Sequence, residues 1–534
     1  MFAATHIPYK QTASFSKLIL DYLDGAASLQ PFYRKTPDLE GIRANIAERQ
    51  GFQTDRQTLV SVLKEQYAQH DVSPAVAANL EALLQNNTFT VCTAHQPNLF
   101  TGPLYFVYKV LHTIRLAAWL QEQLPAYKFV PVYYMGSEDA DFAELNHTYV
   151  DGKKLEWKKE QTGAVGRMVV DNTLLQLIDE LEGQLVYEPF GQEVVSMLRK
   201  CYTNGRTIQE ATFELVNALY GEWGLVVLIP DHPLLKAQMK NVFEEDIFAN
   251  TSSKIVEQTN EKLGKEYNVQ ANPREINLFY LYNNIRERIE KRDESFFVLN
   301  TDISFSETEL RAELDAHPER FSPNVILRGL YQELILPNVA FIGGGGETAY
   351  WLQLCELFSH YGVPYPVLVL RNSFLVVEQK WQEKLDKIDF TPAELFASDD
   401  DLMKAVVTRN SVNAVTLNGN FEKAEELYET IREQAETIDP TLSQYVAAIK
   451  ARSLKELQEL EKKMLRAEKR KYSDQQRQIS VLKEALFPNK GLQERVENFS
   501  GFYAKWGKSF VAELLQHSLA LEQQFTILTA EDQP

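Results

Sequence analysis

Thr93-Ala-His-Gln-Pro-Asn-Leu-Phe-Thr-Gly-Pro103 leaves a short apolar, β-branched run, Phe89 to Cys92, and enters a segment where Leu104, Val107, Tyr108, Leu111, Ile114 and Ala118 recur at spacings of three and four. The first pattern is that of a strand and the second that of a helix burying one face. Pro103 suits the first helical turn, where its missing N–H has no partner to lose. Strand, tight polar turn and helix N-terminus form the crevice of an open α/β sheet, where free backbone N–H groups and the helix dipole favour an anionic ligand. His95, Gln96, Asn98 and Thr101 are expected in that crevice with Gly102 at its turn, His95 and Asn98 as catalytic candidates and the others as substrate contacts. The same stretch is compatible with an ordinary strand-to-helix connection.

Outward from it, Phe129 to Met135 is a second strand-like run beyond the helix expected over 103–120, which makes a βαβ unit with a right-handed crossover. Leu225 to Ile229, Val339 to Ile342 and Val367 to Leu370 are runs of the same kind, ending in Asp231-His232, Gly343 to Glu347 and Arg371-Asn372. Strands alternating with helices indicate a doubly wound α/β class, a Rossmann-like parallel-sheet core. The 534 residues exceed one core. The expected division is core over 1–150, 223–250 and 321–390, inserted subdomains over 151–222 and 251–320, a helical arm over 391–490 and a C-terminal segment over 491–534 returning to the core. The first insert opens with a hairpin pattern, Thr148 to Trp157, turning at Asp151-Gly152. In the second, Arg286, Arg288, Lys291 and Arg292 interleave with Glu287 and Glu290, the pattern of a solvated helix face.

A formal net charge of -19 argues against broad binding of a phosphate backbone, so no nucleic-acid partner is expected. The three cysteines, Cys92, Cys201 and Cys355, are far apart and lack CxxC spacing, which excludes a disulfide framework and a zinc ribbon. No apolar run has membrane-spanning length, so a cytoplasmic protein without a membrane partner is expected.

Three further constellations carry chemistry. Gly136-Ser-Glu-Asp-Ala-Asp-Phe-Ala-Glu-Leu-Asn-His147 follows the second core strand. Its Glu138, Asp139 and Asp141 suit a substrate ammonium group or Mg²⁺, Asn146 is a further contact, and His147 is a proton carrier near neutral pH. An acidic loop that only caps the next helix is the alternative. No metal site built from protein side chains is expected, because His147 lacks a second ligand at suitable spacing. Phe341-Ile-Gly-Gly-Gly-Gly-Glu-Thr-Ala-Tyr-Trp351 sets Gly343, Gly344, Gly345, Gly346 and Glu347 between strand and helix, which allows close backbone approach to a phosphate or carboxylate. Tight helix–strand packing explains such glycines equally well. Upstream, Asn324 and Arg328 are candidates for substrate contact, Arg328 being able to pair a carboxylate through two hydrogen bonds. No serine or cysteine stands in a nucleophile elbow.

Phe421, Ala424, Tyr428, Ile431, Ala435 and Ile438 step by three and four up to the break at Asp439-Pro440, and a second helix is expected from Thr441 to Leu486. At about 1.5 Å per residue it would be on the order of 70 Å long, with a weak seam across Lys469 to Gln478. Two such helices form an antiparallel hairpin whose leftover apolar seam calls for a partner, most simply a second copy.

Taken together, His95 to Tyr105, Pro131 to His147, Pro273 to Tyr280, Ser322 to Trp351 and Leu492-Gln-Glu-Arg-Val496 resemble, in order and over nearly the whole chain, the cysteine-adding ligases of bacillithiol biosynthesis, the BshC family. Ala94 and His95 stand where the family more commonly has Gly and Gln. The paired histidines of an HxGH nucleotidylyltransferase signature are missing. The resemblance implies a Rossmann-like core related to nucleotidylyltransferases, two connecting insertions and a coiled-coil arm that forms a homodimer. It implies that L-cysteine is joined through its carboxyl group to the amine of glucosaminyl malate, with ATP, and with it Mg²⁺, activating the carboxylate. Arg328 or Arg371 would hold the malate carboxylates, and the glycine loop, Glu347 and Arg495 the cofactor. The alternatives are a nucleotidylyltransferase acting on another small molecule and a non-catalytic dimeric scaffold.

Overall fold

The computed structural model describes residues 2–411 and 416–531; residues 412–415, inside the expected arm, and 532–534, at the end of the expected C-terminal segment, lie outside the described residues. Contacts divide the chain into two compact units, Met1–Leu375 with Gly491–Leu528, and Val376–Lys490 with Thr529–Pro534.

The first unit is built on five parallel strands, β1 (Thr88–His95), β2 (Lys128–Met135), β3 (Val226–Leu228), β4 (Asn338–Gly343) and β5 (Val367–Leu370), in the order β5-β4-β1-β2-β3. Every residue of β1 is buried, so both of its faces are covered, as a parallel sheet requires. β1 pairs β2 from Thr88↔Lys128 to His95↔Met135, and β4 pairs β1 through an irregularity between Asn338 and Ala340. Phe89, Val91, Val339, Ile342, Val367 and Val369 pack with Ile42 and Ile46 of the Leu39–Gly51 helix and with Leu116 and Leu120 of helix α1 (Tyr105–Gln123). Strand order reverses between β1 and β4, which makes that crevice the switch point where open α/β sheets bind ligands.

Pro103 stands before α1 rather than in its first turn. The helix is capped by Leu104, and Pro103 forms an isolated bridge with Asn498. Phe100, Thr101 and Gly102 all have positive φ, at 50°, 70° and 67°. The Asn498 amide holds this strained turn by donating to Phe100 O at 2.8 Å and Gly102 O at 2.6 Å. A side chain at residue 102 would lie 2.8 Å from Asn98 Cβ, so glycine is required there for space as well as for φ.

The segment after β2 forms the expected hairpin, His147–Val150 against Lys153–Glu156, with Asp151 and Gly152 both at positive φ. Three helices follow, Asn172–Leu185, Gly191–Cys201 and Ile208–Tyr220. The second insert differs from the expected helix face. Ile285–Arg292 is a strand, central in a five-stranded antiparallel sheet with Leu278–Tyr282, Ser295–Val298, Ser304–Ser306 and Phe321–Pro323. Its charges alternate on a pleat, and Ile289 is buried between them.

In the second unit, Asn418–Ile438 and Leu442–Lys469 lie antiparallel, with Tyr428 Oη 2.7 Å from Ser453 Oγ and Lys450 Nζ donating to Glu429 Oε1 at 2.8 Å. The expected single helix to Leu486 is interrupted: a short 3₁₀ turn, Arg470–Tyr472, separates Leu442–Lys469 from Ser473–Leu486. The break falls where the apolar seam is weakest.

Candidate active site

The carboxyl ends of all five core strands open into one cavity of about 970 Å³. His95 and Gln96 reach it from the end of β1, Gly136 to Asp139 from β2, Pro230 from β3, Gly344 to Glu347 from β4 and Arg371 from β5. Arg286 and Arg288 enter from the antiparallel sheet, Arg274 from the loop before it, and Asn324 and Arg328 from helix α2 (Val325–Ile335) and its cap. Of the residues singled out in the sequence, the cavity therefore gathers His95, Gln96, Glu138, Asp139, Asn324, Arg328, Gly344, Gly345, Gly346, Glu347, Arg371 and Arg495.

Others lie off its wall. Asn98, Thr101 and Gly102 belong to the strained turn, where Asn98 and Thr101 are buried. Asp141 caps the short Phe142–Leu145 helix by accepting from Glu144 N at 3.2 Å. Asn146 donates to Trp157 O at 3.2 Å, and His147 lies 3.2 Å from the Asn146 side-chain oxygen, at the base of the hairpin. Gly343 is the last residue of β4, and a side chain there would come 2.9 Å from the Phe341 ring.

The next three glycines have another reason. None of Gly343 to Gly346 has positive φ. A Cβ at Gly346 would meet nothing within 4 Å, and one at Gly344 or Gly345 would make only ordinary contacts of 3.4 Å or more. Neither backbone conformation nor packing requires glycine at Gly346. What the small residues leave open is the backbone at the N-terminus of helix α3 (Gly345–Leu352), where first-turn N–H groups lack intrahelical acceptors.

The charges around the cavity fall into two sets. In the first, each cation is matched. Lys109, on α1, is buried, donates to Ala94 O at 2.6 Å and lies 2.5 Å from Glu347 Oε2. Burial lowers its pKa, with Glu347 acting against that. Arg371 donates to Glu494 Oε1 at 2.8 Å and to Ser373 Oγ at 3.0 Å, both buried. Glu138 accepts from the fully buried Lys236, which also lies 3.5 Å from Asp231; Arg167 grips Asp231 through two bonds of 2.7 and 2.8 Å. Burial raises the Glu138 pKa despite Lys236. In the second set, Arg274, Arg286, Arg288, Arg328 and Arg495 line the cavity, and among the described residues none has a carboxylate within ion-pairing distance. Arg286 stacks 4.0 Å from the Phe279 ring centre and donates to Ser322 Oγ at 3.0 Å. Arg328 donates to Tyr350 Oη. A chain of net negative charge thus encloses a cavity lined by several cations without ion-paired carboxylates, an arrangement that favours an anion.

Two buried polar atoms on the wall, His95 Nε2 and Ser137 Oγ, have no hydrogen-bond partner among the described residues. Buried polar groups are almost always paired, by protein, ordered water or ligand, so both atoms are open to a water or a ligand in the cavity. Burial, with Lys109 and Arg371 adding to it, holds the His95 pKa well below the usual range, and the imidazole is neutral at pH 7. Among the described residues no group of three or more His, Cys, Asp or Glu is arranged to hold a metal ion.

Two family models cover the chain: "Bacillithiol biosynthesis BshC, N-terminal Rossmann-like domain" matches residues 2–372 and "Bacillithiol biosynthesis BshC, C-terminal coiled-coil domain" matches residues 374–530. This chain belongs to the BshC family. It is therefore a ligase of bacillithiol biosynthesis. Relatives named "Putative cysteine ligase BshC" include that of Flavobacterium johnsoniae, 41% identical with 98% of this chain and 99% of that one covered. Those of Christiangramia forsetii, 40% identical over 98% of each, and Salinibacter ruber, 30% identical over 97% of this chain and 96% of the relative, are similar throughout. Family membership matches the Rossmann-like and coiled-coil pieces read from the sequence.

Several cavity residues escaped sequence reasoning. Lys109 left a signal, as a lone charge between Tyr108 and Val110 on a helix otherwise apolar at that level. Arg286 and Arg288 stand two apart, on one face of a strand. Arg167 and Lys236, which hold Asp231 and Glu138 from behind the cavity wall, are far apart in sequence and left none.

Proposed function

We propose that the cavity joins the carboxyl group of L-cysteine to the amine of glucosaminyl malate, forming the amide of bacillithiol. The observation that carries this reading is the set of five arginines with no carboxylate within ion-pairing distance among the described residues, lining one cavity together with Asp139 and Glu144. A dicarboxylate that also bears an ammonium group complements such a lining. The arginines hold the malate carboxylates, with Arg328 and Arg286 the most nearly fixed by their own contacts, and the acids face the amine.

A free carboxylate and an ammonium ion do not condense at neutral pH, because one is a poor electrophile and the other has no lone pair. Gly344, Gly345 and Gly346, Lys109 and Arg495 are the residues that would hold the polyphosphate of ATP, which would supply a phosphorus to the cysteine carboxylate oxygen, with a phosphoanhydride bond breaking, and so make that oxygen a leaving group. Mg²⁺ would be carried mainly on phosphate oxygens, in keeping with the sparse carboxylates here. The ammonium first gives one proton to water, which frees its lone pair; the amine nitrogen then forms the new C–N bond at the activated carbon, the C–O bond to the leaving phosphate breaks, and the nitrogen gives up a second proton. His95 lines the cavity with Nε2 unpaired among the described residues and orients the substrate nitrogen; burial, Lys109 and Arg371 disfavour its protonation, so the proton leaves to water. His147, outside the cavity, is not needed for this step.

The exposed apolar residues Leu427, Ile438, Tyr445 and Leu460 support a homodimer formed through the hairpin of the second unit. Removing 421–486 with a short linker should give a monomer by light scattering, and an unchanged dimer would rule that interface out. A cytoplasmic location suits three buried, unbridged cysteines. No helix among the described residues is long and apolar enough to cross a membrane.

The test is mass spectrometry of purified protein with cysteine, glucosaminyl malate and ATP. Cysteine-dependent formation of the amide together with a nucleotide product is expected. Nucleotide consumption with a different small acid, and none with cysteine, would overturn the assignment.

A further inference from the structure

Glu347 occupies an unusual place for a residue of an anion-binding loop. Its Oε2 accepts from Gly344 N at 2.9 Å and lies 2.5 Å from Lys109 Nζ, so one carboxylate caps the helix N-terminus and neutralises the buried lysine together. Lys109 has been brought there at a cost, since a buried ammonium must find a counter-charge. The pair faces the cavity that Gly344, Gly345 and Gly346 line, beside His95, which is nine-tenths buried with Nε2 unpartnered. Arg371, the next cation, is already matched by Glu494.

We propose that Glu347 is an internal stand-in for a phosphate and that Lys109 is a catalytic cation of the activation step: when a polyphosphate enters, Glu347 yields Gly344 N–H and Lys109 Nζ to it. This rests on the ligase reading for its reaction, but the exchange itself concerns only the binding of an anion. In the free protein the carboxylate keeps Lys109 charged and the loop ordered. In the complex the phosphate oxygens take the same donors, with the N–H groups of Gly345 and Gly346, which Glu347 leaves unused. As the cysteine carboxylate oxygen bonds to phosphorus and the phosphoanhydride P–O bond breaks, negative charge gathers on the departing phosphate and lies against a cation shielded from water, where electrostatic stabilisation is strongest. Glu347, released, turns toward the cavity mouth and repels a second anion.

The exchange predicts opposite effects for the two partners. Glu347→Gln keeps an acceptor for Gly344 N–H but removes the competing charge, and should bind inorganic pyrophosphate at least tenfold more tightly than the unaltered protein in calorimetry. Lys109→Gln should lose at least tenfold. Affinity that is unchanged or weakened in Glu347→Gln overturns the proposal, as does unchanged affinity in a folded Lys109→Gln; absence of binding in both the unaltered protein and Glu347→Gln does so too. If Lys109→Gln does not fold, Glu347→Gln alone decides. Pyrophosphate binding needs neither cysteine nor glucosaminyl malate, so a wrong substrate assignment would leave these outcomes intact and show itself in the product assay.

Discussion

The floor and the inserted wall of the cavity are both rich in cations, yet they treat charge in opposite ways. On the floor, Arg371 at the end of β5 and Lys236, buried behind Glu138, each meet a carboxylate of the protein. On the wall made by the antiparallel sheet and the loop before it, Arg274, Arg286 and Arg288 have no carboxylate within ion-pairing distance among the described residues. Matched buried charges hold a shape, because neither partner can leave without stranding the other. Unmatched charges on a concave surface bind, because the missing partner arrives with the ligand. The floor is thus the rigid half of the site and the wall the recognising half.

The largest effect should come from breaking a floor pair. Glu494 is fully buried and accepts from Arg371, Ser373 and the Phe374 N–H. Glu494→Ala strands the Arg371 guanidinium and should lower stability by about 3–5 kcal/mol in denaturant unfolding. A loss below about 1 kcal/mol would mean that the floor does not depend on this pair.

Next in size is the anchor of the recognising wall. Asp246 is buried with no cation beside it and accepts from Asn277 N at 2.6 Å and Asn277 Nδ2 at 3.1 Å. Asn277 in turn accepts from Arg274 N at 3.0 Å and from the Asn324 amide at 3.1 Å, tying the loop to the cap of α2. Burial pushes the Asp246 pKa up to about 6, against the hydrogen bonds from Asn277. The folded state therefore holds this proton more tightly than the unfolded chain does. The resulting stability is complete below about pH 4, the ordinary range for aspartate, and is lost as pH rises through about 6. Asp246→Asn should remove about 1–3 kcal/mol of that decline, read as a flatter stability profile between those limits. An unchanged slope would show that Asp246 does not titrate there.

The same contrast explains what the sequence disclosed. The floor was legible because its signals are local: β1, the turn and α1 follow one another, and the glycines stand directly between a strand and a helix. Lys109 was passed over because an apolar period is read from the residues that fit it, and the one that breaks it is discounted. The wall was misread because Arg286 to Arg292 holds only one buried apolar residue, Ile289, so a strand in a charged hairpin has the same composition as a solvated helix. Period two was present in Arg286 and Arg288, but only sheet pairing makes it count. Asn98 and Thr101 were placed in the crevice because nothing local shows that Asn498, some four hundred positions later, folds their turn inward. The break at Arg470–Tyr472 was foreshadowed by the thinning of apolar residues, whereas its sharpness was not.

A smaller effect, on binding rather than stability, separates wall from floor. Arg288 is exposed, lines the cavity and has no carboxylate partner. Arg288→Ala should leave unfolding within about 0.5 kcal/mol of the unaltered protein while raising KM for the anionic substrate roughly tenfold, the equivalent of one charge-assisted hydrogen bond of about 1.5 kcal/mol. Lost stability with normal KM would place Arg288 among the structural cations.

The smallest expected change has a sign that neither a purely structural floor nor a purely binding one would give. Gly346 lies in the first turn of α3 with ordinary helical backbone, and a Cβ there meets nothing within 4 Å. Alanine is the better helix former and restricts the unfolded chain, so Gly346→Ala should stabilise the protein slightly, by about 0.5 kcal/mol. A methyl group on the cavity side nevertheless stands where a phosphate would approach the backbone, so polyphosphate affinity should fall even as melting temperature rises. Were the loop there only to pack α3 against the sheet, the substitution would leave affinity alone. A rise in both would mean that the ligand stays clear of this turn, and the role of the glycines would then reduce to Gly343, whose place beside Phe341 packing alone explains.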